Sequence, residues 1–388
     1  MIKRDIEKTL LDLACSVPIL SVTGPRQSGK TTLIKSVFNK HEYLNLENPA
    51  MQNLAKADPV AFLKSFSNKL IIDEAQYVPE IFSAVQVLSD IDEKPGAFIL
   101  SGSQNFLLSK NIKQSLAGRV AVVKLLPLSF NEIKNHFNKI SYKEIMIKGE
   151  YPRLYDTKMD SFRFYRSYIN TYIARDVKDL LDIRNTSDFL RLLSLLACRA
   201  GQLLNYASLG KELAVDVRTI KSWISVLESS YIIYHLRPHY KNLTKTMVKS
   251  PKVYFYDTGL MNYLLNIKNN RDFELKGYKG QIFENFVMSE LMKYYYNDDS
   301  DDRIAFYRDK NKLEIDIVDN SYDAKYRYCE VKAGETYQKK FNENIKILSD
   351  KDMIDLDSAC VVYGGIGAFK KDGIQTFGFK EWSNNLYS

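Results

Sequence analysis

Cysteine is scarce in these 388 residues, and so is histidine, with 4 of each. Cys15, Cys198, Cys329 and Cys360 stand apart, without a C-x-x-C pair and without zinc-like spacing to a histidine. This excludes a disulfide framework and leaves reduced thiols in a cytoplasmic chain as the expectation. Long apolar runs are missing as well. Pro18–Val22 and Leu70–Ile72 fall far short of a membrane span. Met1 to Lys8 carry early acidic charge and are followed by no apolar signal region, so neither secretion nor a membrane segment is expected. No internal repeat or low-complexity stretch occurs. The net charge of +8 is a mild lean towards anionic partners that a charged soluble surface would equally produce.

What is present is an ordered alternation of elements. Residues 19–22, 43–46, 70–72, 97–100 and 120–126 read as short apolar strands. Residues 31–38, 50–66 and 80–89 read as helices between them, with Asp58-Pro59 set to start a new helix. Strand and helix in alternation predict an α/β fold, a parallel sheet with helices on both faces. After Pro127 the pattern turns helical, strongest over 162–182. The polar stretch 266–272 reads as a linker, 280–294 as an amphipathic helix, and later segments return to strands. The expected domains are 1–130, a helical lid or linker region over 131–200, 201–265 and 266–388.

Gly24-Pro25-Arg26-Gln27-Ser28-Gly29-Lys30-Thr31 fits G-x-x-x-x-G-K-[ST] between a predicted strand and a predicted helix, with Thr32 next. Main-chain N–H groups of such a loop cradle phosphates, the lysine reaches the β- and γ-phosphates, and the threonine hydroxyl holds Mg²⁺. ATP and Mg²⁺ are therefore the expected cofactors. Leu70-Ile71-Ile72-Asp73-Glu74 ends an apolar strand in two carboxylates. Asp73 suits the metal, and Glu74 suits deprotonation of an attacking water. A glutamate there favours hydrolysis over transfer to a small acceptor, which leaves a nucleotide kinase as the weakest reading. Ser103 or Gln104, after the strand 98–100, either senses the γ-phosphate or is turn chemistry. Arg119 is either an arginine finger, in cis or from a second copy, or a surface cation.

Taken together, Gly24–Thr31, Ile72-Asp73-Glu74-Ala75-Gln76, Ile99-Leu100-Ser101-Gly102-Ser103, Leu116-Ala117-Gly118-Arg119 and Leu126-Pro127-Leu128-Ser129 resemble a prokaryotic family of AAA+ type ATPases. Its C-terminal half is a domain of unknown function. Tyr172-Ile173-Ala174-Arg175-Asp176-Val177, Gly201-Gln202-Leu203-Leu204-Asn205 and Tyr256-Asp257-Thr258-Gly259-Leu260 match later motifs of that family, so the resemblance covers essentially the whole chain. Ala174 stands where the family pattern has an acidic residue, and Ala75 where a larger aliphatic one is common.

Residues 207–214 and 218–229 read as two helices joined by a short turn, with wing-like strands at 231–236 and 252–256. This resembles a winged helix-turn-helix. Arg218 and Lys221 would face outward, with Lys241, Lys245, Lys249 and Lys252 in the wing against DNA or RNA backbone. A protein-packing role is the open alternative. Further on, Glu284 on a helix, Asp316 on a strand and Glu330-x-Lys332 on the next strand resemble the restriction-endonuclease-like PD-(D/E)xK fold. Asp316 and Glu330 would hold Mg²⁺, and Lys332 would position a water. The functions in view are an ATP-driven switch or motor acting on nucleic acid, or a regulatory ATPase with a protein partner and an inert nuclease-like domain. A homo-oligomer is left open.

Overall fold

Five short aliphatic runs form the first sheet: β1 (Ile19–Thr23), β2 (Glu42–Asn45), β3 (Leu70–Asp73), β4 (Phe98–Gly102) and β5 (Val120–Lys124). The computed structural model describes residues 1–66, 69–92, 94–102, 116–173, 186–239, 250–300, 303–321 and 325–387. All five strands pair in parallel, in the order β2-β3-β4-β1-β5. β1, β3 and β4 are buried along their whole length, as strands covered on both faces must be. Leu70, Ile72 and Leu100 pack on one face with Phe82, while Leu20, Ile71 and Ile99 pack on the other with Ile34. Asp58 accepts the Ala61 N–H at 2.9 Å and starts the helix Pro59–Lys64, as the Asp-Pro pair predicts.

Beyond β5, a capping box of Ser129 and Glu132 opens the helix Phe130–His136. The predicted helix over 162–182 is observed as Ser161–Tyr168 and a wider turn at Ile169–Ile173; its remainder lies outside the described residues. Helices Thr186–Cys198, Tyr206–Leu213 and Val217–Ser229 follow, then the antiparallel pair β6 (Ile233–Pro238) and β7 (Lys252–Phe255). Leu203 bridges to Lys252, which adds a third short edge to that pair.

The second sheet adds β8 (Ile304–Arg308), β9 (Glu314–Asp319), β10 (Tyr328–Lys332), β11 (Ala359–Tyr363), β12 (Ala368–Lys371) and β13 (Ile374–Gly378). Its order is β12-β13-β11-β10-β9-β8-β6-β7, so the hairpin of the middle segment is built into the C-terminal sheet. Two sequence expectations are corrected here. The helix predicted as amphipathic is Lys279–Asn297, and it is buried nearly all round because it lies between that sheet and the middle helices. The predicted linker 266–272 instead buries Ile267 and leads into the helix Asn270–Leu275, whose Phe273 is also buried. One continuous apolar cluster joins Leu128, Phe189, Ile224, Phe286 and Phe377, so the middle and C-terminal parts share a core.

Candidate functional site

The phosphate loop begins where β1 ends. Gly24 follows Thr23 with φ at +150°, and a Cβ there would lie 2.1 Å from the carbonyl oxygen of Leu125. Only glycine fits so close an approach. Gly29, at φ +93°, turns the chain into the helix Lys30–Val37, leaving the helix N-terminus facing the loop. The buried Lys30 ammonium donates to the carbonyls of Gly24 at 3.0 Å and Pro25 at 2.8 Å. From outside, the buried Arg4 donates to the Ser28 carbonyl at 2.9 Å and to Leu126 at 2.7 Å, and pairs with Glu132 at 3.0 Å. The loop is thereby tied to the segment that leaves the sheet.

Asp73 ends β3 opposite this loop. Its Oδ2 accepts the Thr31 hydroxyl at 2.7 Å and the Tyr43 hydroxyl at 2.8 Å. Its Oδ1 accepts from the Ser101 hydroxyl and from the Glu74 N–H at 3.1 Å. Burial, then the Asp73 charge, pushes the Tyr43 phenol upward, so it stays a donor. Glu74 adopts a left-handed turn with φ at +55°, costly for a non-glycine residue, and its carboxylate accepts from Gln76. Magnesium fits this donor set: a threonine hydroxyl and a carboxylate already converge within hydrogen-bond distance beside the phosphate loop. On the flank of the loop, Ile2, Gly29, Thr32, Leu33, Leu128 and Pro152 line a cavity of about 60 Å³.

The structure brings Gly24, Pro25, Gln27, Ser28, Gly29, Lys30, Thr31, Asp73 and Glu74 to one end of the sheet, and does not bring Arg119 there. Arg119 precedes Val120, which is in register with Ile19 at the start of β1. It therefore lies at the opposite end of the sheet, about 16 Å of strand away at ~3.3 Å per residue. It pairs there with Asp90, so a finger in cis is ruled out by strand direction. Ser103 and Gln104 lie outside the described residues, as do residues 174–177 of the middle motif.

In the middle segment, Arg218 and Lys221 are exposed while Ile220, Ile224 and Leu227 are buried. Lys241, Lys245 and Lys249 lie outside the described residues. Lys252 is a correction. It is 1% exposed, faces inward and has no access to a nucleic-acid backbone.

Its partners are the C-terminal carboxylates. The Lys252 Nζ lies 2.6 Å from Glu314, 3.2 Å from Glu284 and 3.9 Å from Asp316. Lys332 pairs with Glu330 and lies 3.6 Å from Asp316. The sequence thus identified residues that do meet: Glu284, Asp316, Glu330 and Lys332. Burial, then the Asp316 charge, pushes Glu330 up to about 8 against the pull of Lys332. Burial alone would lower Lys252, but Glu284, Asp316 and Glu314 outweigh it and hold it protonated. Among the described residues, no three His, Cys, Asp or Glu side chains form a metal-holding group. Gly201 borders the cluster with φ at +75°, and a Cβ there would come 3.0 Å from Glu284.

Comparison with known proteins follows this division of the chain. Residues 16–134 match the family model of an AAA domain. Residues 139–271 and 279–382 match two domains of unknown function, DUF8612 and DUF4143. An uncharacterized protein of Mycobacterium tuberculosis is 30% identical over 319 residues, which is 81% of this chain and 70% of that protein. The chain belongs to its family of AAA-domain proteins. Another relative, an uncharacterized protein of Methanocaldococcus jannaschii, is 28% identical over 350 residues, 82% of this chain and 75% of its own. A Walker-type ATPase of Pyrococcus abyssi has a TM-score of 0.46 at 15% identity, covering 68% of this chain and 96% of that one.

As an AAA-domain protein, the chain carries a P-loop ATPase fold in its N-terminal third. Sequence reasoning missed three of its residues. Ser101 and Tyr43 sit on strands flanking β3 and reach Asp73 only through the parallel register. Tyr231, after the helix Val217–Ser229, shares a 2.7 Å hydrogen bond with the Thr23 hydroxyl next to Gly24. Local spacing carries no signal for any of them. No helix among the described residues is long and apolar enough to cross a membrane.

Proposed function

We propose that the N-terminal site of this AAA-domain protein hydrolyses ATP with magnesium and that the middle helices pass the nucleotide state on to nucleic acid. One observation carries the hydrolysis reading. Asp73, held by Ser101 and Tyr43, accepts the Thr31 hydroxyl at 2.7 Å, and Glu74 follows at once on a left-handed turn. Thr31 and Asp73 would hold the metal, Asp73 through water. The metal, when bound, neutralises phosphate charge. Main-chain amides of residues 24–29 and the Lys30 ammonium bind the phosphates, for which Lys30 must leave the Gly24 and Pro25 carbonyls. Glu74 takes a proton from the attacking water.

For the nucleic-acid part, support comes from the three helices, the hairpin β6–β7 and its Leu203 bridge, an arrangement that resembles a winged helix. Arg218 and Lys221 stand exposed on the second helix of its turn, where phosphates or base edges are contacted. The C-terminal part follows a long helix, three antiparallel strands, a helix and a parallel strand, which resembles the restriction-endonuclease-like core.

Phosphate release from ATP, measured with and without duplex DNA or RNA, tests the reading. Lys30→Ala should abolish binding of labelled ATP. Glu74→Gln should keep binding and lower turnover about 10²- to 10⁴-fold, the usual share of a general base. Arg218→Ala with Lys221→Ala should remove stimulation by nucleic acid and leave basal turnover intact. A chain that binds no ATP, or a Glu74→Gln variant with full turnover, would overturn it.

A further inference from the structure

The restriction-endonuclease-like arrangement implies a divalent metal between Asp316 and Glu330, and the residues present do not fit one. Both oxygens of Asp316 are engaged: Oδ1 faces Lys252 at 3.9 Å, while Oδ2 accepts the Val331 N–H at 2.8 Å and lies 3.6 Å from Lys332. Glu330 is taken by Lys332 through one oxygen and by Asn344 at 3.3 Å through the other. Glu314 divides its oxygens between Lys252 at 2.6 Å and Arg308 at 2.7 Å. Glu284 accepts the Tyr254 hydroxyl at 2.6 Å and faces Lys252 at 3.2 Å through the same oxygen. A hard dication cannot share the focus of these carboxylates with the ammonium groups of Lys252 and Lys332 already seated there.

We infer that Lys252 is a built-in counter-ion that takes the metal's place, so this cluster docks the β6–β7 hairpin onto the C-terminal domain and is not a metal-dependent cutting site. The cation comes from β7, which pairs with β6, and β6 in turn pairs with β8 of the sheet that carries Glu314 and Asp316. Three charges of opposite sign surround one buried ammonium, which compensates the loss of its hydration shell. Its ammonium lies over the Phe306 ring, 5.4 Å from the ring centre, on the strand next to Glu314. The Tyr254 hydroxyl, two residues further along β7, holds Glu284 towards the same point. The inference stands apart from the ATP reading, because none of these residues belongs to the phosphate loop or to Asp73.

The experiment is manganese binding by the full chain without nucleotide, read from the free-ion electron paramagnetic resonance signal, with thermal melting beside it. Wild type and Asp316→Asn should bind manganese equally, since the cluster takes none. Lys252→Ala should melt lower and gain one manganese site. Added manganese should restore part of its melting temperature. The double variant Lys252→Ala/Asp316→Asn should show neither gain. An Asp316-dependent ion in the wild type would overturn the inference, and so would a folded Lys252→Ala chain without a gained site. Should Lys252→Ala fail to fold, Lys252→Met keeps the apolar stem in place, and the wild-type against Asp316→Asn comparison decides by itself. ATP turnover is not the readout, so a failed ATP reading leaves this test intact.

Discussion

Asp73 concentrates the local chemistry of the N-terminal site, and it does so through residues far apart in sequence. Thr31, Tyr43, Ser101 and the Glu74 amide all donate to its two oxygens. Donors aimed at a carboxylate fix its rotamer and compensate its burial beside the Thr31 hydroxyl. Ser101→Ala removes one of them without touching phosphate. ATP turnover in that variant should fall about ten-fold, roughly the worth of one charge-assisted hydrogen bond, with little change in ATP affinity. Unchanged turnover in a steady-state assay would refute the positioning role. The phosphate loop and the Asp73-Glu74 pair were legible because each is a contiguous motif with its own mechanism. Ser101 and Tyr43 were not, because which residues of neighbouring strands meet Asp73 is settled only by the parallel register. For Arg119, read as a finger in cis or in trans or as a surface cation, the register excludes only the cis finger, because a motif gives the residue but not which end of the strand it occupies.

Helices and strands in this chain are joined by buried charge as well as by apolar packing. Lys293, on the central helix Lys279–Asn297, lies 2.6 Å from Glu150 and 2.8 Å from Glu290, all three buried. Glu290 also accepts the Phe130 N–H at 2.8 Å, and the Glu150 N–H donates to Asp257 at 2.7 Å. Lys293→Met would leave two carboxylates buried without their cation. It should lower stability by about 3–5 kcal/mol in denaturant titration, and a loss below 1 kcal/mol would contradict that. Glu330 gives a pH signature. Its folded value, about 8, is above its ordinary 4.5, so the folded chain retains a proton that the unfolded chain releases. The stability this confers is complete below pH 4.5 and is lost as the pH rises towards 8. Glu330→Gln should flatten the fall of the melting temperature across that window; an unaltered slope would exclude Glu330 as its source. The strands carrying Glu314, Asp316 and Glu330 were readable from alternation. Lys252 was not, since a lysine at the start of a predicted wing strand reads as a solvated contact to nucleic acid.

Across the whole molecule the segments share more than the sequence suggests. The polar stretch 266–272 looked like a boundary, yet the apolar cluster crosses it and the long helix behind it fills the middle. A chain ending at residue 265 should therefore fail to give a cooperative melt for its middle helices by circular dichroism. A soluble, cooperatively melting product would show that the shared core is dispensable. Composition and periodicity could not foresee this, because a helix apolar on most sides and dotted with buried Glu, Lys and Asn resembles an amphipathic surface helix until its neighbours are known.

Tyr231 takes the left-handed turn that ends the helix Val217–Ser229, with φ at +57°, and its hydroxyl meets Thr23 at 2.7 Å. No residue intervenes between Thr23 and the first glycine of the loop, and the tyrosine is buried. One hydroxyl–hydroxyl contact therefore ties the end of that helix to the residue on which the phosphate loop is hinged.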